Sequence, residues 1–331
     1  MLETLYRMRI RSYLLFFLVF CSCGGKQDST VVQTVNEAKI VATGEPSLIV
    51  LGTVQDAGSP HIGCKKECCS TLFEHPDERR KIVSLGLVDP KRNTYYLFEA
   101  TPDMPKQLKI LKKRSAADAK ETPDGIFLTH AHIGHYTGLM YLGKEAMNAK
   151  SVPVYAMPVM KTFLETNGPW SQLVINKNIA IQKMSDNALI DLTSNIKVIP
   201  FTVPHRDEYS ETVGYTILGP NKKALFIPDI DKWEKWNRNI ADEISKVDYA
   251  FIDATFYDAA EINNRSISEI PHPFIIESMA LFANLPTQEK DKIYFIHLNH
   301  TNPALNPESE QARQILKNGF HIAQIRDVFK L

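Results

Sequence analysis

The chain has 331 residues, 44% of them hydrophobic, and 38 acidic against 38 basic side chains, so its formal net charge is zero. That is length for one large domain or two small ones, with ample apolar material for a core. The balanced charge leaves no basic footprint for nucleic acid, and no such partner is expected.

The N-terminus reads apart from the rest. Arg7, Arg9 and Arg11 form a basic start, and residues 13–20 are apolar but too short to span a bilayer as a mature helix. Cys21-Ser22-Cys23-Gly24-Gly25 follows. This is the outline of a bacterial signal peptide over residues 1–22, and its end resembles a lipobox. Cys23 is the expected lipidation site, because small Ser22 precedes it; cleavage without lipidation is the alternative. Residues 23–46 read as a polar tether, leaving 47–331 as the folded domain. The expected location is the cell envelope, lipid-anchored and facing the periplasm, with the membrane as one partner and a small-molecule substrate as the other.

The domain opens on a continuous apolar run, 47–51, which predicts a buried strand leading into the loop 52–58. Next come Cys64, Cys68 and Cys69, with His61 upstream. An odd count in an exported protein fits a metal site better than simple disulfide pairing, although one disulfide plus a free thiol stays open. A strand is predicted over 94–99 and a helix over 106–114. The apolar run 126–128 then feeds Thr129-His130-Ala131-His132-Ile133-Gly134-His135, with the first turns of a helix at 136–142. His130 and His132, two apart on a strand end, point the same way, and His135 faces the same cavity from the following turn. Three imidazoles in six residues is dense for a chain with 10 His, and imidazole is the commonest metal ligand.

Further strands are predicted at 153–156, 196–203, 212–218, 224–227, 248–252 and 292–297, and helices at 159–165, 233–244 and 273–283. Strand and helix alternate through short Gly/Pro connections, so the class is α/β or α+β with layered sheets. His205, Asp229 and His297 each stand at or just past the end of an apolar run, as the histidine cluster does. Open α/β folds place their sites at such strand ends.

That order of ligand types resembles the metallo-β-lactamase-fold superfamily, whose H-x-H-x-D-H motif, third His, bridging Asp and final His hold two metals. The resemblance runs from residue 47 to the C-terminus. It implies an αββα sandwich of two mixed β-sheets with helices on the outer faces. Phe295-Ile296-His297-Leu298-Asn299-His300-Thr301-Asn302-Pro303 and the glycine loop with its Cys cluster resemble the pyrroloquinoline-quinone biosynthesis B proteins more narrowly. The loop and cluster are also similar to those of the phosphonate-pathway cyclic phosphodiesterase. Carried over, Cys64, Cys68, Cys69 and His300 become a structural zinc site, with His61 in reserve.

The resemblance assigns His130, His132 and His205 to a catalytic zinc with one open coordination place. Water there has its pKa lowered toward ~7, so hydroxide becomes available as the nucleophile. The second position keeps His135, Asp229 and His297, but the family's Asp is Gly134 here. A tight first ion and a weaker second are therefore expected; two equally tight ions would require another ligand, such as Asp56 or a water. Asp253 is expected to orient a metal-bound His. His272 falls where the tRNA-processing ribonucleases of this fold place a leaving-group acid, though a turn His without a role is the alternative. Arg206 receives a phosphate or carboxylate, or is simply solvated. Asp231 and Trp233 are candidates for the pocket wall.

Three functions follow from this reading. The first is a metal-dependent hydrolase of a small phosphodiester or other ester. The second is an oxidoreductase with Fe, or Mn, in the active site. The third is a non-catalytic binding lipoprotein with a degenerate second metal site.

Overall fold

The computed structural model describes residues 44–115, 119–262 and 266–331. The expected signal peptide, Cys23 and all but the last residues of the tether lie outside the described residues. The chain divides at Lys39, and everything below concerns the unit Ile40–Leu331. No helix among the described residues is long and apolar enough to cross a membrane.

Among the described residues, fourteen strands form two mixed sheets. In chain order they are β1 (Ser47–Gly52), β2 (Ser84–Asp89), β3 (Thr94–Phe98), β4 (Gly125–Phe127), β5 (Val152–Ala156), β6 (Ile179–Lys183) and β7 (Ile190–Thr193). They continue as β8 (Ile196–Thr202), β9 (Val213–Leu218), β10 (Lys223–Ile227), β11 (Tyr249–Asp253), β12 (Ile293–Ile296), β13 (His321–Ile322) and β14 (Val328–Lys330). One sheet has the order β14-β1-β2-β3-β4-β5-β6, the other β13-β12-β11-β10-β9-β8-β7. Each is antiparallel over one half and parallel over the other, the change falling at β3 in the first sheet and at β10 in the second. The parallel halves put the C-terminal ends of β4, β11 and β12 on the site.

Three apolar layers hold this together. Phe98, Phe127, Tyr215, Phe226 and Phe251 meet between the sheets. Helix Met104–Lys112 and helix Pro158–Thr166 cover the outer face of the first sheet through Leu108, Leu111, Met160 and Leu164. Ile240, Ile275 and Ile315, from helices Ile240–Ser245, Ile275–Leu281 and Glu310–Lys317, cover the second. Helix, sheet, sheet, helix is the sandwich the sequence predicts.

Five strands, β2, β6, β7, β13 and β14, go beyond the sequence reading; β7 and β13 are short and only half-buried, so they carry little apolar signal. The predicted helix 233–244 is broken. A 3₁₀ turn, Trp233–Lys235, precedes Ile240–Ser245, because Asn239 is extended and its side chain accepts from the N–H groups of Ala241 and Asp242, capping a new helix.

Two non-glycine residues at the site take positive φ, Glu99 at 77° and His297 at 66°. Each sits just past the end of a strand. A side chain in that region is costly and persists where the surroundings enforce it.

Candidate metal centre

Five histidines and two aspartates converge where the strand ends meet. His130 and His132 leave β4, His135 sits on the short helix Ile133–Tyr136, His205 follows β8, Asp229 follows β10 and His297 follows β12. Asp56 enters from the loop after β1. Their inward atoms form two sets. His130 Nε2 and His205 Nε2 lie 3.3 and 3.2 Å from Asp229 Oδ2, and His132 Nδ1 lies 4.0 Å from it. His132 Nδ1 is 3.3 Å from His205 Nε2. In the second set, His135 Nε2 and His297 Nε2 are 2.6 and 3.0 Å from Asp56 Oδ1. They lie 3.8 and 3.9 Å from the same Asp229 Oδ2. In each set the ligand atoms all fall within 4.8 Å of one another, and one aspartate oxygen belongs to both.

The other nitrogen of four of the rings has a side-chain partner on the outside, and that of His135 faces a buried carboxylate at ion-pair distance. Thr129 Oγ1 is 2.8 Å from His130 Nδ1, Glu208 Oε2 is 3.0 Å from His132 Nε2, and Asp231 Oδ1 is 3.3 Å from His205 Nδ1. Thr255 Oγ1 is 2.8 Å from His297 Nδ1, and Glu99 Oε1 stands 3.5 Å from His135 Nδ1. Outer partners of this kind fix the ring orientation of metal-ligating histidines. Inside, His130 Nε2 is buried without a well-directed hydrogen bond among the described residues, 3.3 Å from Asp229 Oδ2. Buried polar atoms left this way are costly unless a cation takes them up. Donor set and orientation thus fit a metal.

The carboxylates and imidazoles of the centre hold one another charged: burial lowers His135, His205 and His297, but the buried carboxylates raise all three against it. Burial pushes the Asp229 carboxyl up, but the charges of His205, His272 and His297 more than reverse this and hold it well below the usual carboxylate range. Asp56 behaves alike: burial raises it, while the charge and hydrogen bonds of His135 and those of His297 bring it well below. Burial, followed by the charge of His135, drives His130 well down, leaving a neutral imidazole.

Asp253 ends β11 fully buried. Its Oδ1 accepts from the Thr255 N–H at 2.9 Å and from Thr255 Oγ1 at 2.7 Å, so Thr255 links it to His297. Its Oδ2 is 2.9 Å from His272 Nδ1, which also stands 3.2 Å from Asp229 Oδ1. His272 therefore lies beside the centre rather than on a free turn. Burial lowers its pKa, but the Asp253 and Asp229 charges lift it well above the ordinary imidazole value. Asp231 holds His205, whereas Trp233 donates to Ser278 Oγ and lines a cavity with Lys232 and Pro273. Arg206 is exposed, 3.8 Å from Glu208.

Beside the three residues expected at the second position, the structure places a fourth ligand-type side chain, Asp56. Asp56 stands in the loop after an apolar run, the same position rule that singles out the other ligands; the H-x-H-x-D-H template drew attention to Gly134 instead. Glu99, at the end of the predicted strand 94–99, and Thr129, Thr255 and Glu208 likewise escape a sequence reading, because a partner for the outer ring nitrogen needs no fixed spacing.

At the cysteines, Cys64, Cys69 and His300 bring their ligand atoms within 4.8 Å of one another. Cys68 is not in that trio, although its Sγ lies 3.9 Å from that of Cys69. Both sit on the one-turn helix Glu67–Ser70, where adjacent side chains diverge by about 100°. Cys64, Cys69 and His300 thus form the tightest group of the expected set, with Cys68 beside it. His61 stacks on His300 with ring centroids 3.5 Å apart, placing the reserve ligand at the edge of the group.

A two-sheet sandwich with a histidine-rich, aspartate-bridged centre at its strand ends defines the metallo-β-lactamase class. The chain belongs to that superfamily: the profile of the beta-lactamase superfamily domain matches residues 94–298. It is 23% identical over 302 residues to coenzyme PQQ synthesis protein B of Bradyrhizobium diazoefficiens, covering 83% of this chain and 96% of that one. Zinc-bound PqqB from Methylobacterium extorquens superposes with a TM-score of 0.71 at 20% identity, over 86% of this chain and all of that one. A diphosphatase of the PhnP family superposes with a TM-score of 0.60 at 21% identity, over 87% and 97% of the two chains.

Proposed function

We propose that this protein is a metal-dependent hydrolase of a small phosphodiester. The observation that carries the reading is the sharing of Asp229 between the two ligand sets and His272. One side chain faces both nitrogen sets through Oδ2 and the Asp253-tethered imidazole through Oδ1. His130, His132 and His205 would hold the first ion, and His135 and His297 would contribute to a second, with Asp229 between them. The chemistry such an ion would supply is a water acidified toward a pKa of ~7 and charge neutralisation at a phosphoryl oxygen. Water's oxygen bonds to phosphorus, and the ester P–O bond breaks. His272, its Nδ1 tied to Asp253, offers its remaining nitrogen to protonate the departing alkoxide. The PhnP-family diphosphatase supports phosphoester chemistry on this scaffold.

The test is a panel of cyclic and linear phosphodiesters, assayed with zinc, manganese and iron supplied separately. Monoester release with at least one ion is expected. The hydrolase reading falls if no ester is cleaved with any of them.

A second reading, an iron-dependent oxidoreductase, is favoured by one feature. His130, His132 and His205 with the nearby Asp229 carboxylate make a nitrogen-rich set that would also hold Fe(II). The similarity to coenzyme PQQ synthesis protein B points the same way. Iron retained through anaerobic purification, with dioxygen uptake and no ester cleavage, would select it.

Export with a lipid on Cys23 belongs to the same proposal. Cys23→Ala should move the protein from the membrane fraction to the soluble one; retention on the membrane would overturn the anchor.

A further inference from the structure

We infer that Asp56 is the carboxylate missing from position 134, moved onto another loop, and that it completes the second metal position with four protein ligands. The inference rests on the metal-centre part of the function proposed above. Its first support is distance: Asp56 Oδ1 lies 2.6 Å from His135 Nε2 and 3.0 Å from His297 Nε2, opposite the shared Asp229 oxygen. Its second support is exclusion. A Cβ on Gly134 would lie 2.3 Å from Asp56 Cα, 2.7 Å from its carbonyl oxygen and 2.8 Å from its Cβ. The backbone that carries the incoming carboxylate occupies the space where a side chain at 134 would begin. Glycine at 134 and the loop course that presents Asp56 are therefore two halves of one arrangement: with this backbone the carboxylate can come from 56 and not from 134.

The loop is fixed to deliver it. Thr53 and Val54 donate to the Lys81 carbonyl, Gln55 donates to Leu298 O, and Leu298 donates back to Thr53 O, each at 2.8–2.9 Å. The turn then closes at Gly58, whose φ of +77° glycine adopts freely. Asp56 is thereby tied to the segment that presents His297, so the two ligands of the second position are placed by one set of backbone bonds.

The test counts zinc. Wild type, Asp56→Asn, Asp56→Ala, Gly134→Asp and the exchange Asp56→Gly with Gly134→Asp are dialysed against stepped free zinc, with circular dichroism as a fold control. Wild type should hold two ions at comparable free zinc, beyond any at the cysteines. Both Asp56 variants should keep one and bind the other more than ~100-fold more weakly, a larger loss than removal of an outer partner causes. Gly134→Asp should gain no occupancy and lose thermal stability, alone or combined with Asp56→Gly, because the Cα and carbonyl oxygen of residue 56 remain in the way. The inference is overturned if Asp56→Ala and Asp56→Asn bind both ions as wild type does, or if folded Gly134→Asp binds the second ion more tightly. Should the exchange fail to fold, the nearly isosteric Asp56→Asn still decides. Zinc counts are independent of turnover. An Asp56-dependent second ion without phosphodiester cleavage overturns the hydrolase reading alone; cleavage with an Asp56-independent second ion overturns this inference alone.

Discussion

His272 Nδ1 lies 2.9 Å from Asp253 Oδ2 and 3.2 Å from Asp229 Oδ1, so one imidazole joins the carboxylate that anchors the end of β11 to the carboxylate shared by both ligand sets. A proton donor placed this way acts on turnover and not on metal affinity. His272→Ala should lower kcat by roughly 10²–10⁴-fold, the usual range for general acid–base catalysis, with zinc content unchanged. Parallel loss of zinc would make His272 a ligand, since Asp229, Asp253, His272 and His297 also converge within ligand distance.

Glu99 is fully buried at a φ of 77°, its Oε1 3.5 Å from His135 Nδ1. Glu99→Gln keeps the shape and removes the charge behind that ring. Zinc titration should show the second ion weakened by about 10–100-fold and the first unaffected, as for other outer partners. A uniform loss of both ions would mean that Glu99 supports the strand end and not His135.

The cysteine cluster separates its members. Cys64→Ser and Cys69→Ser should each remove about one zinc per chain, because a structural site needs its full ligand set. Metal closing this loop contributes folding free energy, and about 2 kcal/mol lost would lower Tm by roughly 4–8 °C. Cys68→Ser should do neither. Metal analysis and thermal melts of the three variants check this directly.

Stability should fall from pH 5 to pH 8 through Glu261. Burial pushes its carboxyl up to about 7, against hydrogen bonds from Thr301 Oγ1 and the Tyr257 N–H that pull it down. The folded state therefore holds this proton more tightly than the unfolded chain does. The benefit is complete below the unfolded value, near 4.5, and is lost as pH rises through about 7, at a cost on the order of 3 kcal/mol. Glu261→Gln should flatten that slope and melt above wild type at pH 8. Parallel melting curves across the range would refute it.

Much of this protein was legible in its residues. Apolar runs located β1, β3, β8 to β12 and the ends at which His130, His132, His135, His205, Asp229 and His297 stand, because a buried strand must be apolar and a ligand must follow where it ends. The alternation of strand and helix gave the class, and the resemblance carried by the spaced histidines gave the sandwich. What sequence spacing could not supply was convergence between distant segments. Asp56 and His135 are 79 residues apart and meet only because β1 and β4 lie in one sheet, with β2 and β3 between them. Gly134 looked like a lost ligand, since a motif records what is absent at a position and not what packs against it. Only the tertiary structure shows the Asp56 backbone filling that space, and hard-core repulsion between close-packed atoms is what made the exchange a decision of the fold.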